Sequence, residues 1–325
     1  MSFDLYLASF EGNDIIDWAY DNDCPLLYSQ LNNRNYIKRH FSAQEEGKTK
    51  GKLFIDSGAH SAHTKGVELD LNEYIGFVND NIDKMTVYVQ VDKIPGQYLK
   101  PKTQKDWLEA PKLSWENYLM MKEKSADWTK LIPVFHMGED YKWLENLCNY
   151  KFSDGSQIPY IGLSPRGDVS LKDKYDFCYK CFSVIKKSSN PNVKTHAFGA
   201  TSLSMLERLP FTSADSTTWV LVSAFGQVWI PTGITGDSVD DTVGVKLGVS
   251  KENISHKTAT WTYWEQKPEV KKKLDDYFES IGTNIEKLSE SHNERAIASA
   301  KFCQTWAKNY EYKGVSSFTS TRKLF

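Results

Sequence analysis

Cysteine is scarce in this chain: five residues in 325, an odd number. So few thiols build no disulfide framework, and a reducing compartment is expected. Long apolar runs are lacking too. None approaches the ~18 residues of a membrane-spanning helix, so no membrane partner is expected. The N-terminal "MSFDLYLASFEGNDIIDW" has no basic n-region and carries acids early, unlike a secretory signal. Together these features predict a cytoplasmic location. Charge of one sign is also lacking, with a net of -2. No global basic field advertises nucleic acid, although a local basic patch survives such averaging. No glycine-rich dinucleotide fingerprint follows the first apolar run, and there is no internal repeat and no low-complexity tract. No cofactor is expected.

What is present is ordinary globular material, 40% hydrophobic and 25% charged, in a chain long enough for a substantial core. Short apolar or β-branched runs recur through the first two thirds of it. They lie near Leu5, Phe54, Val89, Pro133, Ile161, His196, Ala214 and Trp229. Helical patterns separate most of them. "DLNEYIGFVNDNI" puts Leu71, Tyr74, Ile75 and Val78 on one face, and "DYKWLENLCNY" does the same with Trp143, Leu144 and Leu147. Strands alternating with helices imply βαβ units and a parallel sheet. This rhythm suits a (β/α)8 TIM-like barrel, with a doubly wound open sheet as the alternative. The barrel is assigned to residues 1–262, with insertions near 30–52 and 96–130. Residues 263–325 read as a C-terminal helical segment packed outside it, its last Ser/Thr-rich dozen fraying.

Three of the runs end on Asp: "LFIDSG" on Asp56, "VYVQVDKIPG" on Asp92 and "TSADSTTW" on Asp215; "IPVFHMGED" ends on His136. In a parallel barrel such positions converge on one mouth, where catalytic groups sit. Each Asp read singly is a helix N-cap, a role Asp favours. Three in one chain are less completely explained by capping. Asp56 is followed by Ser57 and Gly58, which permit a tight turn and close backbone approach. Two carboxylates about a glycosidic bond can act as nucleophile and proton carrier. A third can accept hydrogen bonds from a purine edge. His136 is read as lining the same mouth.

Other signals have plainer readings. Cys178 and Cys181 form a CxxC inside a helical pattern with no second pair, and are read as buried. His60 and His63 flank the Asp56 turn; a metal would need a third ligand, and no metal is assigned. Trp107, Trp115 and Trp128 fall at helical spacing, with core packing set against base stacking. The basic segment Arg34–Lys52 is the candidate for phosphate contact through Arg34, Lys38, Arg39, Lys48 and Lys50, against a solvated loop.

The ordered set of motifs resembles the tRNA-guanine transglycosylase superfamily. "IDSGAHSA" is similar to its Asp-Ser-Gly-Gly-Phe-Gln segment, and "VYVQVDKIPG" to the strand ending on its guanine-binding Asp. "IPYIGLSPRGD" stands at its glycine-rich loop, and "HAFGATSLSMLERLPFTSADSTTW" at the turn, helix and strand of its nucleophile. The likeness covers residues 53–230. Within the superfamily, "LYLAS", "SGAHSAHTKG", "PVFHMGEDYKWL" and "DSTTWV" look most like the phage-type DpdA DNA transglycosylases.

That resemblance implies exchange of guanine in DNA for a free 7-deazaguanine (preQ0-like) base, in a host cytoplasm if phage-encoded. It implies Asp215 as nucleophile, Asp56 as general acid/base and Asp92 as guanine reader. Ser57, Gly58, Gly162 and Leu163 would line the base through backbone groups. The chain departs from the tRNA enzymes at Ala59, His60 and Ser61, at Ser164-Pro165-Arg166-Gly167, and after Asp215. Their zinc set of three Cys and a distant His is not found. A tRNA-acting enzyme and a non-catalytic nucleic-acid-binding barrel are the alternatives.

Overall fold

The computed structural model describes residues 3–9, 12–199, 202–234, 243–252 and 261–314. Its elements in chain order begin β1 (Asp4–Ala8), α1 (Asn13–Asp21), β2 (Leu26–Ser29), α2 (Arg34–Glu45), β3 (Leu53–Asp56), α3 (Ala59–Lys65), α4 (Leu71–Asp80) and β4 (Val87–Val89). There follow α5 (Gln104–Lys124), β5 (Leu131–Ile132), β6 (Val134–His136), α6 (Tyr141–Asn149), β7 (Tyr160–Ser164), α7 (Leu171–Lys187), β8 (Lys194–Ala197), α8 (Leu203–Arg208) and β9 (Ser213–Ser216). The remainder is α9 (Thr218–Ala224), β10 (Gln227–Pro231), β11 (Gly244–Gly248), β12 (Trp261–Thr262), α10 (Pro268–Ser280), α11 (Ile285–Glu290) and α12 (His292–Lys308).

The first nine strands form one sheet in the order β5-β4-β3-β2-β1-β9-β8-β7-β6. Every neighbouring pair is parallel. The two ends of that order, β5 and β6, are separated in the chain by Pro133 alone. Proline has no N–H to give to a ladder, so regular pairing breaks there. The carbonyls span the break. Ile132 O accepts from Gln90 N–H at 3.0 Å on one side, and Pro133 O accepts from Gly162 N–H at 2.8 Å on the other. The result is an α/β fold built on a nearly closed nine-strand parallel barrel, consistent with a TIM-like barrel.

Alternate strand residues face opposite sides, and both sides here are apolar. Tyr6, Phe54, Val87, Val89, Ile132, Val134 and Tyr160 form one small core. Their neighbours Leu5, Leu7, Leu53, Ile55 and Tyr88 join the larger core shared with the helices. Burial on both faces is why these strands read as near-continuous apolar runs.

The structure redraws several expected elements. The short strand β2, in "CPLLYSQ", is not among the apolar runs expected as strands. The run near Trp229, read as a barrel strand, instead pairs antiparallel with β11 in a separate sheet ordered β10-β11-β12. The segments read as insertions near 30–52 and 96–130 hold α2 and α5, the helices that follow β2 and β4. Helix α5 is started by a reciprocal Thr103–Asp106 capping box.

The second sheet has its own core, in which Val228, Ile230, Leu247 and Val249 meet Leu274, Phe278 and Leu288. Helix α12 returns to the barrel, where Gln304 Nε2 donates to Leu5 O at 3.0 Å and Trp306 Nε1 to Glu207 Oε1 at 2.9 Å. Residues 315–325, with the fraying expected of them, lie outside the described residues. Among the described residues no helix is long and apolar enough to cross a membrane.

Candidate active site

Asp56 is the last residue of β3, Asp215 lies in β9, and Asp92 follows β4. All three are at the C-terminal ends of parallel strands. None is a helix cap. The residue at the start of α3 is Gly58, that of α9 is Thr217, and that of α5 is Thr103. Genuine Asp caps do occur in this chain: Asp70 accepts from Asn72 and Glu73 N–H, and Asp140 from Lys142 N–H. The strand-end carboxylates therefore have other partners.

Asp215 is clamped through one oxygen. Its Oδ1 accepts from Gly199 N–H at 2.9 Å and meets His196 Nε2 at 3.3 Å. His196 is fully buried. Its Nδ1 lies 2.5 Å from Ser213 Oγ, which is 2.5 Å from Tyr160 Oη. With Asp215 ionised and the imidazole neutral, one arrangement satisfies every contact. Tyr160 O–H donates to Ser213, Ser213 O–H donates to Nδ1, and Nε2–H donates to Asp215. Burial holds the Tyr160 phenol well above its ordinary value, so it stays a donor. Oδ1 is thus held by two donors, while Oδ2 is given no hydrogen-bond partner among the described residues.

This relay rests on an aromatic floor. The ring centroids of Phe54 and His196 are 4.5 Å apart, as are those of His196 and Phe198. Gly162 is there for the floor. A Cβ on it would stand 2.3 Å from Phe198 Cε2 and 3.3 Å from Ile132 Cγ2.

Asp56 is the electrostatically loaded member. Its Oδ2 accepts from Gly58 N–H at 3.0 Å. Burial, and then the negative charges of Asp92 and Asp215, lift its carboxyl to about 7, against the pull of the Gly58 N–H. The carboxyl thus changes protonation near neutrality, which is what a proton carrier needs. Gly58 makes the turn possible. Its φ of +88° is left-handed, and a Cβ would meet Leu31 Cβ at 2.5 Å. Ser57 is fully buried, its Oγ accepting from Ala59 N–H at 3.4 Å.

Asp92 sits in a buried ion cluster. Its Oδ2 is 2.9 Å from His136 Nε2, whose Nδ1 is 3.0 Å from Glu139 Oε1. Burial works to lower the imidazole, but hydrogen bonds and charge from both carboxylates outweigh it and raise the group to about 10. His136 is therefore an imidazolium with both N–H groups engaged. It holds Asp92 in place more than it faces a ligand itself. The stability it supplies is full below 6.5 and is lost as pH rises through about 10. His136→Ala is expected to cost about 3 kcal/mol at about pH 7, because two buried carboxylates lose their cation. The cost is expected to shrink as pH rises from about 7 through about 10, where the wild-type imidazole loses its charge. Denaturant melts at the two pH values read this, and an equal loss at both contradicts the ion-pair role.

Not every residue singled out in the sequence joins the site. Leu163 is fully buried in the outer core, and its carbonyl accepts from Phe198 N–H at 3.0 Å. Gly162 N–H is taken by Pro133. Both are engaged within the barrel wall and leave no clear backbone edge for a base. The five basic residues do not make one surface at the mouth. Arg34 opens α2 near the mouth, yet pairs with Glu73 at 2.8 Å. Arg39 meets Asp17 at 2.5 Å, and Lys48 meets Glu46 at 2.6 Å. Lys38 is exposed on α2, while Lys48 and Lys50 precede β3, at the end of the sheet away from Asp56. The reason is topological: a helix after a parallel strand carries the chain back to the opposite end.

Cys178 and Cys181 are buried in α7, as expected. Trp115 stacks on Tyr118 and Trp128 meets Phe152, which is packing. Among the described residues no group of three or more His, Cys, Asp or Glu is placed to hold a metal ion.

Sequence reading missed the roles of Glu139, Ser213 and Tyr160. Glu139 was discernible from its spacing, three residues after His136. Tyr160 and Ser213 are 53 residues apart, and no local pattern links them. No protein-family model matches the chain, and no curated protein matches it.

Proposed function

We propose that this protein is a DNA guanine transglycosylase that exchanges guanine for a 7-deazaguanine base through a covalent Asp215-glycosyl intermediate. The scaffold is read as a (β/α)8 barrel whose fifth strand is interrupted at Pro133, with the C-terminal helices as an extension on its outside. The observation that carries the reading is the pairing of unlike carboxylates. Asp56 is lifted to about 7 by burial and by its acidic neighbours, while Asp215 is oriented by Gly199 N–H and the His196 relay. Two carboxyl groups with opposed environments are what nucleophilic glycosyl transfer requires.

In that chemistry Asp215 Oδ2 attacks C1′ of the target nucleotide. The C1′–N9 bond breaks, and Asp56 gives its proton to the departing guanine. The incoming base then attacks C1′ through N9, the C1′–Oδ2 bond breaks, and Asp56 takes the N9 proton. The acid is regenerated. Asp92, held by His136, accepts from the guanine N–H edge. Half-buried Phe198 offers a ring face to a flat base. A base within a duplex must leave the stack to reach this site.

DNA is favoured over tRNA by the motifs "SGAHSAHTKG" and "PVFHMGEDYKWL", and by the cysteines. Only Cys178 and Cys181 stand close together, the others lying at 24, 148 and 303, unlike the three closely spaced Cys of the zinc site in the tRNA enzymes. Incubation with radiolabelled guanine or 7-deazaguanine, in the presence of DNA or of tRNA, tests the proposal. Label is expected in DNA. Label in tRNA would move the substrate to RNA, and label in neither polymer would remove the transglycosylase reading.

A further inference from the structure

The loop after Asp92 carries chemistry that the exchange of a base does not use. A cleft of about 550 Å³ opens between α3 with its following turn and residues 91–98. Buried Asp92 is part of its lining, with Ala62, Val91 and Ile94 as apolar wall and His63, Lys93 and Tyr98 as polar groups. Its volume is that of a site for a whole small ligand, more than a guanine ring on Asp92 needs.

We propose that this cleft holds the single strand flanking the target guanine. Tyr98 stacks on a neighbouring base, and Lys93 and Lys102 hold backbone phosphates. The identity of the strand as DNA rests on the transglycosylase reading.

The residues suit that ligand. Tyr98 is 50% exposed, and its ring meets His63 edge-on at 6.3 Å. A partly exposed aromatic beside spaced cations is the usual platform for a single strand. The loop is shaped to present them. Leu99 is left-handed with φ +59°, and Gly96 has φ +71°. A Cβ on Gly96 would come within 3.2 Å of Lys102 Cγ, so the loop lies against the lysine stem. Lys102 Nζ lies 5.2 Å from the Trp107 ring centroid, and its charge adds to partial burial in depressing the half-buried His63 imidazole. Lys93 is anchored by its backbone N–H on Ser114 Oγ at 2.8 Å, which leaves its side chain available.

Neither Lys93 nor Lys102 has a carboxylate in ion-pair range among the described residues, unlike Arg34, Arg39 and Lys48. The lining acids are Glu68 and Asp92, and Asp92 shares the His136 cation with Glu139. Lys38 of α2 is unpaired too among the described residues, but only the loop after β4 sets its cations beside an exposed aromatic and a cleft.

The test is fluorescence anisotropy with a labelled single-stranded oligodeoxynucleotide of about 12 nucleotides bearing a central guanine. It is run on the whole protein, beside calorimetry with free guanine. Tyr98→Ala is expected to weaken oligonucleotide binding about tenfold. Lys93→Gln with Lys102→Gln is expected to lower the slope of log affinity against log salt by about 1.4, two single-strand phosphates. Guanine binding and the thermal midpoint should be unchanged in both variants. Unchanged oligonucleotide affinity and slope, with guanine still bound, overturn the cleft and leave the transglycosylase reading intact. Loss of oligonucleotide binding in a protein that never binds guanine sustains the cleft and removes that reading. A wild-type protein that binds no oligonucleotide overturns the cleft.

Discussion

Asp215→Ala is expected to abolish base exchange, by at least about 10⁴-fold, and to remove any covalent protein–DNA species. A carboxylate nucleophile has no substitute in the site: Asp56 is protonated when the bond to guanine breaks, and Asp92 is tied to His136 at 2.9 Å. The alanine variant also strands two donors, Gly199 N–H and His196 Nε2. Gly199 is exposed and can turn to water, whereas leaving the buried His196 donor unpaired costs about 1–3 kcal/mol. Asp215→Asn separates the two effects. Its amide oxygen can still accept from both donors, so the fold should keep nearly all its stability while the adduct disappears. Intact mass of protein mixed with DNA in the absence of an incoming base reads the adduct directly. An adduct of full yield in Asp215→Asn would eliminate Asp215 as the nucleophile.

Asp56→Asn is expected to slow turnover by about 10²–10⁴-fold, the usual contribution of a positioned proton carrier. Because the wild-type carboxyl titrates at about 7, release of guanine should weaken as pH rises through that value. Acceptance of the incoming base should weaken as pH falls through it, making the wild-type profile bell-shaped.

The same substitution should stabilise the fold. A carboxyl that is 3.8 when free and about 7 when folded disfavours the native state. The penalty is complete above about 7, declines as pH falls, and vanishes below 3.8. Removing the charge should therefore add on the order of 2–4 kcal/mol in alkaline buffer and almost nothing in acid. Thermal melts across pH measure it. A gain that does not depend on pH would mean that Asp56 is not an electrostatically strained group.

Local pattern carried much of the fold. Runs such as "VYVQVD" and "IPYIGLS" are apolar on both faces because both faces are buried, and strand–helix alternation followed from periodicity. The capping lesson is sharper. Asp70 and Asp140 begin helices as Asp commonly does, whereas Asp56 and Asp215 stand before short helices begun by Gly58 and Thr217. Sequence identity at those positions was the same; only the partners differ. The error at the eighth strand has a simple cause. "LLYS" is too short to show a period, and "GQVWIP" has the character of any buried strand, so pattern could not say which sheet receives it.

By itself, then, the sequence determined the fold class, the strand-end carboxylates and the burial of the cysteines, because each depends on neighbours within a turn or a strand. Only the tertiary structure decided the rest. It showed that Pro133 splits a strand at the junction of the sheet and that Tyr160, Ser213 and His196 form one line behind Asp215. It also showed that His136 joins Asp92 to Glu139, and that Arg34 and Arg39 of helix α2 are paired with Glu73 and Asp17. Those relations join residues far apart in the chain or on different strands. Their energies come from burial and from the charges across the barrel, which exist only once it has nearly closed.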